Sequence, residues 1–349
     1  MHALTFGGKE IIDYNIVKDP ELLYPSDAVV RITRAGICGS DLHVYHGRES
    51  GLDRGTVMGH EFTGVVEEAG SDVKKFKTGT RVLSPFTTSC GECFYCRIGL
   101  TCRCEKGSLF GWVQNGHGLH GAQATYIRVP MADSTLLPLS SDLNEMKGLL
   151  LGDIFSTGYF CAENAEIKPG ATYAVIGCGP VGLMTVLAAK HLGAEKLFAI
   201  DVIPERLAIA EKFGAIPLNA SLTEIKEEIF MNTNGRGADA VMEVVGSDQS
   251  LKLAIDLVRP GGVISSVGVH TAKTFSFSPG EAYDKNLTYK SGRCPARFLS
   301  EKLLREEVPQ LYPIEDIITH QFALKDGARA YEVFDKKLEN CIKAVLMPA

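Results

Sequence analysis

Between residues 172 and 267 the chain repeats one pattern: a short apolar run, a helix-length segment, then another apolar run. The runs at 173–176, 197–200, 240–245 and 263–267 read as strands, rich in β-branched and small apolar residues. Residues 180–192, 204–213 and 247–258 have helical spacing. Pro180 and Pro204 stand at first turns, and Gly193 and Gly214 follow the ends. Ser221-Leu222-Thr223-Glu224 matches a capping box and predicts a further helix opening there. Strands separated by helices of this length pair in parallel, so an α/β, doubly wound sheet is expected.

The preceding half has a different texture. Segments 28–33, 62–67 and 125–129 are short, β-branched and bounded by Gly or Pro, as in antiparallel sheet. Residues 86–122 between them read as loop, rich in Gly and Cys. After about residue 290 the pattern turns irregular, and the tail is read as returning to the first domain. The expected domains are 1–153 with its lobe at 86–122, then 154–290, then 291–349. A chain of 349 residues is long enough to give each domain its own core.

Charge and hydropathy exclude some partners. A formal charge of -6 argues against nucleic acid, which needs a basic face. No apolar run approaches a membrane span. Residues 1–9 lack the charged start and hydrophobic stretch of a secretory signal. A cytoplasmic protein is expected.

Ten cysteines are present, and five of them lie between residues 90 and 104. Cys90, Cys93, Cys96 and Cys104 are separated by two, two and seven residues. Short gaps of this kind let one turn bring sulfurs to a common point. In a reducing compartment, clustered thiols read as metal ligands rather than disulfides. Zinc accepts four thiolates tetrahedrally and then has no position left for substrate. This lobe is therefore expected to be a structural staple, supplying cohesion that a loop-rich segment lacks.

Gly177-Cys178-Gly179-Pro180-Val181-Gly182 follows an expected strand and opens an expected helix. Its glycines let backbone amides approach a pyrophosphate, and the helix N-terminus favours negative charge. Asp201 closes the second strand, where an acid accepts from the adenosine ribose hydroxyls. A carboxylate there repels the extra phosphate of NADP, so NAD is the expected cofactor. Arg206 is read either as an adenosine contact or as a solvated helix residue. Val267, ending the strand at 263–267, is placed with the cofactor-binding positions.

Cys38 and His60 also stand in Gly-rich turns, one after an expected strand and the other before one. Alone, each would be read as a packed or hydrogen-bonded core residue. In company, Gly36-Ile37-Cys38-Gly39-Ser40-Asp41-Leu42-His43, Gly59-His60-Glu61, the four-Cys lobe and the dinucleotide fingerprint resemble the zinc-dependent medium-chain alcohol dehydrogenase family, in that family's order. The resemblance spans nearly the whole chain. It implies a GroES-like antiparallel β catalytic domain with a Rossmann cofactor domain, two zinc ions per chain, and a homodimer or homotetramer.

By the same resemblance Cys38 and His60 are ligands of a reactive zinc. The third ligand falls in a strand-to-helix junction, here 151–159, where many members carry Cys and this chain has Asp153. An Asp oxygen is a legitimate zinc ligand. Some relatives use the acid after His, so Glu61 is expected as a nearby acid that enters transiently, with Asp153 as the resting ligand. The resemblance gives Ser40 the substrate proton and His43 the solvent end of a proton relay. It makes Asp41 the acid that orients His60, although a turn cap is an alternative reading. Thr157 falls where relatives contact the nicotinamide, and Lys343 where they contact the pyrophosphate. Lys343 could instead be an exposed C-terminal lysine.

The implied reaction interconverts alcohols and aldehydes or ketones. An open metal position lowers the pKa of a bound hydroxyl; for water the drop is from about 15.7 to about 7. Formaldehyde and polyol dehydrogenases of the same family are alternatives. A protein that keeps NAD and zinc but not the reaction is the competing class. The complete set Cys38, Ser40, His43, His60 and Asp153 counts against that class.

Overall fold

A computed structural model describes residues 1–348. The chain divides into two compact units, one made of residues 1–156 with the segment from Pro295 on, the other of residues 157–294. No helix among the described residues is long and apolar enough to cross a membrane.

The first unit is built on a seven-stranded sheet. Its order is Ile318–Ala323, Lys343–Met347, Ala28–Gly36, Phe62–Ala69, Arg81–Ser84 and Leu137–Pro138, with Tyr126–Val129 also pairing with Ala28–Gly36. All neighbours run antiparallel except Ile318–Ala323 and Lys343–Met347. Val30, Ile32, Phe62, Val66 and Val82 bury their side chains in one core. Register then places the site. Ala35 pairs with Phe62, and Val345 with Gly36. The residues just after Gly36, just before Phe62 and at the start of Lys343–Met347 therefore come to one end of the sheet.

Three expectations for this unit are corrected. The lobe at 86–122 is not all loop. It holds a helix Phe94–Arg97, a 3-10 turn Thr101–Arg103, and a hairpin Trp112–Gln114 with His117–Leu119. Asn115 and Gly116 turn that hairpin with φ of 52° and 74°, the type I′ geometry that matches strand twist. The tail is not irregular either. It forms the amphipathic helices Ala296–Arg305 and Gly327–Lys336 and two strands of the sheet. Finally, Asp153 lies between two helices, Glu145–Leu151 and Ile154–Asn164, rather than between a strand and a helix.

The second unit is a six-stranded parallel sheet ordered Ile216–Asn219, Lys196–Asp201, Thr172–Ile176, Ala238–Glu243, Val258–Ser266, Thr288–Ser291. Strand order reverses between Thr172–Ile176 and Ala238–Glu243, the place where doubly wound sheets bind ligands. The edge strands Ile216–Asn219 and Thr288–Ser291 were not foreseen. Pro217 hides the first, since Pro is tolerated only at edges. The Ser221 capping box does not form. Leu222 and Thr223 donate to the Asn219 carbonyl, and the helix begins at Ile225 with Glu224 as its cap. The third expected strand ends at Glu243 and not at Val245, because the Glu243 carboxylate draws the Val245 and Gly246 amides into a turn.

Candidate metal and cofactor sites

Cys38 caps the short helix Gly39–Tyr45, which carries Ser40, Asp41 and His43. Asp41 uses its two oxygens separately. Oδ2 accepts from the Cys38 amide at 2.9 Å, a cap, and Oδ1 lies 3.3 Å from His60 Nδ1. The two readings of Asp41 are therefore compatible in one geometry. His60 points its other nitrogen, Nε2, at Asp153 Oδ2, 3.3 Å away. Cys38 Sγ is 3.6 Å from the same oxygen. Cys38, His60, Glu61 and Asp153 are all buried, and each offers a ligand atom within 4.8 Å of the others.

These distances test the donor set against zinc. Bond lengths of about 2.3 Å to S, 2.0–2.1 Å to N and 2.0–2.2 Å to O give tetrahedral edges of about 3.6 Å for S to O and about 3.4 Å for N to O. The residues present fit the metal. Their electrostatics fit as well. Burial, with the charges of Asp153 and Glu61, pushes the Cys38 thiol up. Burial opposes a charge on His60, but Asp41 and Asp153 outweigh it and hold His60 well above the usual histidine value. Cys38, Glu61 and Asp153 are acids buried against one another, a repulsion that a divalent cation reconciles.

Two groups with no visible link in the sequence support this geometry. Gln123 donates to the Gly36 carbonyl at 3.1 Å and to Asp41 Oδ2 at 3.4 Å, and the Tyr331 hydroxyl donates to Gln123 at 2.8 Å. Neither stands in a motif. The Leu151 carbonyl, two residues before Asp153, accepts from Ser156 at 2.6 Å and from Ser300 at 2.9 Å, fixing the junction that aims the carboxylate.

Lys343 requires a correction. It is not an exposed C-terminal lysine. Its side chain and that of Glu61 are 0% and 1% exposed, and its ammonium bonds Glu61 Oε2 and the Ile37 carbonyl. Burial opposes its charge, yet Glu61 raises its pKa above the usual value. Glu61 Oε1 is buried without a hydrogen-bond partner. A Cβ on Gly36 would stand 1.8 Å from Glu61 Oε2. Gly36→Ala should therefore force this carboxylate off its lysine and destabilise the protein by about 3 kcal/mol or more, as breaking one side of a buried ion pair does. Urea unfolding measures it, and an unchanged midpoint would mean that the strand end yields instead.

Ser40 Oγ lies 3.2 Å from Cys38 Sγ and 3.3 Å from His60 Nε2, against the ligand cluster. His43 is half-buried, its Nδ1 has no hydrogen-bond partner, and burial lowers its pKa. No hydrogen bond joins Ser40 to His43 among the described residues.

The sulfurs of Cys90, Cys93, Cys96 and Cys104 form the second group, again within 4.8 Å of one another. Cys93 and Cys104 are 3.9 Å apart, close to the tetrahedral edge of about 3.8 Å for zinc thiolates. Cys102 is buried and stands outside this group.

In the second unit, Gly179 caps the helix Pro180–His191, whose first-turn amides have no intrahelical partner. Asp201 Oδ2 accepts from the Cys178 amide at 2.6 Å, and Oδ1 from Val202 and Ile203 at 2.7 and 3.0 Å. The acid is thus tied to the glycine turn. Arg206 Nη1 stands 3.7 Å from where a Cβ on Gly179 would be. Val267 lies just past the strand Val258–Ser266 and donates to the Glu243 carbonyl at 3.0 Å. Thr157 opens the second unit, half-buried.

Residues 24–140 match the alcohol dehydrogenase GroES-like domain, and residues 180–309 match the zinc-binding dehydrogenase domain. The chain belongs to the zinc-dependent medium-chain alcohol dehydrogenase family. It is 43% identical over 324 residues to zinc-type alcohol dehydrogenase B of Aspergillus flavus, covering 90% of this chain and 74% of that one. It is 32% identical to an uncharacterized zinc-type alcohol dehydrogenase-like protein of Bacillus subtilis, with 100% of each chain covered. Alcohol dehydrogenase TADH from Thermus sp. ATN1 superposes with a TM-score of 0.92 at 40% identity over 99% of each chain. Membership makes the chain an oxidoreductase of the zinc type, with a GroES-like unit and a Rossmann unit, and implies zinc and a nicotinamide cofactor.

Proposed function

We propose that this chain is an NAD-dependent alcohol dehydrogenase interconverting alcohols and aldehydes or ketones, with a reactive zinc held by Cys38, His60 and Asp153. The observation that carries the reading is the agreement of 3.6 Å and 3.3 Å donor separations around Asp153 Oδ2 with a tetrahedral zinc site. When bound, zinc supplies a Lewis acid to the substrate oxygen and the nicotinamide exchanges a hydride with its carbon. The chain's own residues do the rest. Asp41 fixes the His60 ring. The Ser40 hydroxyl takes the substrate proton, and His43, lowered in pKa by burial, is a neutral acceptor at its solvent end. Glu61, held by Lys343, is the acid in reserve beside the three ligands. Cys90, Cys93, Cys96 and Cys104 would hold a second, structural zinc.

NAD is favoured by Asp201, whose carboxylate beside the glycine turn disfavours a 2′-phosphate. Arg206 over the same turn favours the contrary reading, NADP. A panel of primary and secondary alcohols, polyols and aldehydes, followed by reduced-nicotinamide absorbance with NAD and with NADP, tests both. NAD-linked turnover of at least one alcohol is expected. Asp201→Ala should lower the NAD-over-NADP preference about tenfold, the worth of one good hydrogen bond and a charge repulsion. An unchanged ratio would remove the ribose role from Asp201. We carry over a homodimer or homotetramer, which sedimentation would distinguish from a monomer.

A further inference from the structure

Glu243 ends the strand Ala238–Glu243 and is fully buried. A carboxylate without water must find its donors inside the protein. Oε1 accepts from the Val245 amide at 2.8 Å, the Gly246 amide at 2.7 Å and the Ser250 hydroxyl at 2.8 Å. Oε2 accepts from the Ser266 hydroxyl at 2.8 Å and meets His270 Nε2 at 3.0 Å. With both oxygens receiving donors, Nε2 must carry the ring proton, since two lone pairs would otherwise face each other. A neutral imidazole protonated there offers a hydrogen-bond acceptor at Nδ1. His270 is 22% exposed, and its Nδ1 makes no hydrogen bond among the described residues. One nitrogen is anchored and the other is on offer.

The position of this pair indicates what Nδ1 meets. Glu243 pairs with Ile176, and a Cβ on Gly177 would stand 2.5 Å from Val245. The pair is thus one strand from the first glycine of the fingerprint, across the reversal in strand order. Asp201 lies on the opposite side of that glycine, on the adenosine half. Strands Ala238–Glu243 and Val258–Ser266 therefore face the other nucleoside of a dinucleotide laid across the reversal. We propose that His270, oriented by Glu243, binds the nicotinamide half of the cofactor by accepting a hydrogen bond from its ribose hydroxyl. This rests on the dinucleotide reading above.

Calorimetric titration of the zinc-loaded, full-length chain with NADH and with ADP, which lacks the nicotinamide nucleoside, tests it. His270→Gln retains an amide donor for Glu243 and drops the acceptor at Nδ1. It should raise the NADH dissociation constant about tenfold and leave that of ADP unchanged. His270→Asn retains an acceptor near Nδ1 and should bind NADH between wild type and His270→Gln. Unchanged NADH binding by His270→Gln would overturn the proposal. So would equal weakening of NADH and ADP, which would mark a role confined to holding the sheet end. Wild-type protein that binds neither NADH nor NADPH would overturn the dinucleotide reading and this inference with it. If it prefers NADPH, the same pattern with NADPH and ADP supports His270 while only the NAD preference falls.

Discussion

Cys38→Ser should give a folded protein that holds one zinc per chain and turns over at least about 10⁴-fold more slowly. Wild type should hold two. Serine has nearly the volume of cysteine, so the buried site loses a soft ligand without losing its packing. Cys38 supplies the only sulfur in its cluster, and the four lobe sulfurs are a separate donor set. The metal lost should therefore be the reactive one alone. Removing Lewis-acid stabilisation of several kcal/mol from the transition state corresponds to a factor of this size. Elemental analysis, thermal melting and turnover on one preparation check it. Turnover within tenfold of wild type would sink the assignment. Loss of both metals with unfolding would show Cys38 holding the fold instead.

Cys104→Ala should have the largest effect on stability. The lobe has a single turn of helix, a 3-10 turn and a hairpin of three-residue strands, too little ladder to hold itself together. Its thiols also conflict. Burial pushes Cys96 up to about 12, whereas the amides of Glu105 and Cys96 pull Cys93 down to about 6. A cation lets all four ionise together. Structural zinc contributes about 10–16 kcal/mol in isolated finger peptides. Local opening of the lobe limits how much of that reaches the global fold. A fall in Tm of about 10 °C or more is expected, with proteolytic cutting between residues 90 and 104 appearing first. A variant that loses one zinc yet melts and resists protease like wild type would deny the lobe its structural role.

The parallel sheet was legible because its strands are apolar runs and its helices carry Pro at the start and Gly past the end, as at Pro180 and Gly193. The cluster of Cys90, Cys93, Cys96 and Cys104 was legible from spacing, and the fold brings those four sulfurs together, whereas Cys38 needed the family resemblance. The misreadings have physical causes. Asn115-Gly116 is a strong hairpin signal, but the flanking strands are too short to alternate visibly. The capping pattern at Ser221 lost to Asn219, whose carbonyl captured the amides of the next turn. Lys343 sits in an apolar strand, Lys343–Met347, and only the distant Glu61 explains why an ammonium is buried there. Glu243 and His270 carried no signal, because their partnership depends on two strand ends meeting.

That lysine has a consequence for how the protein is made. Glu61 and Lys343 are 282 positions apart in sequence, and the whole second unit is encoded between them. At about 5–20 residues per second the ribosome takes roughly 15–55 s to deliver the cation after the anion. For that interval the nascent first unit lacks the counter-charge and the strand that carries it. The inserted unit can mature while the chain is still growing, but the centre around Glu61 must wait for residue 343 to be delivered.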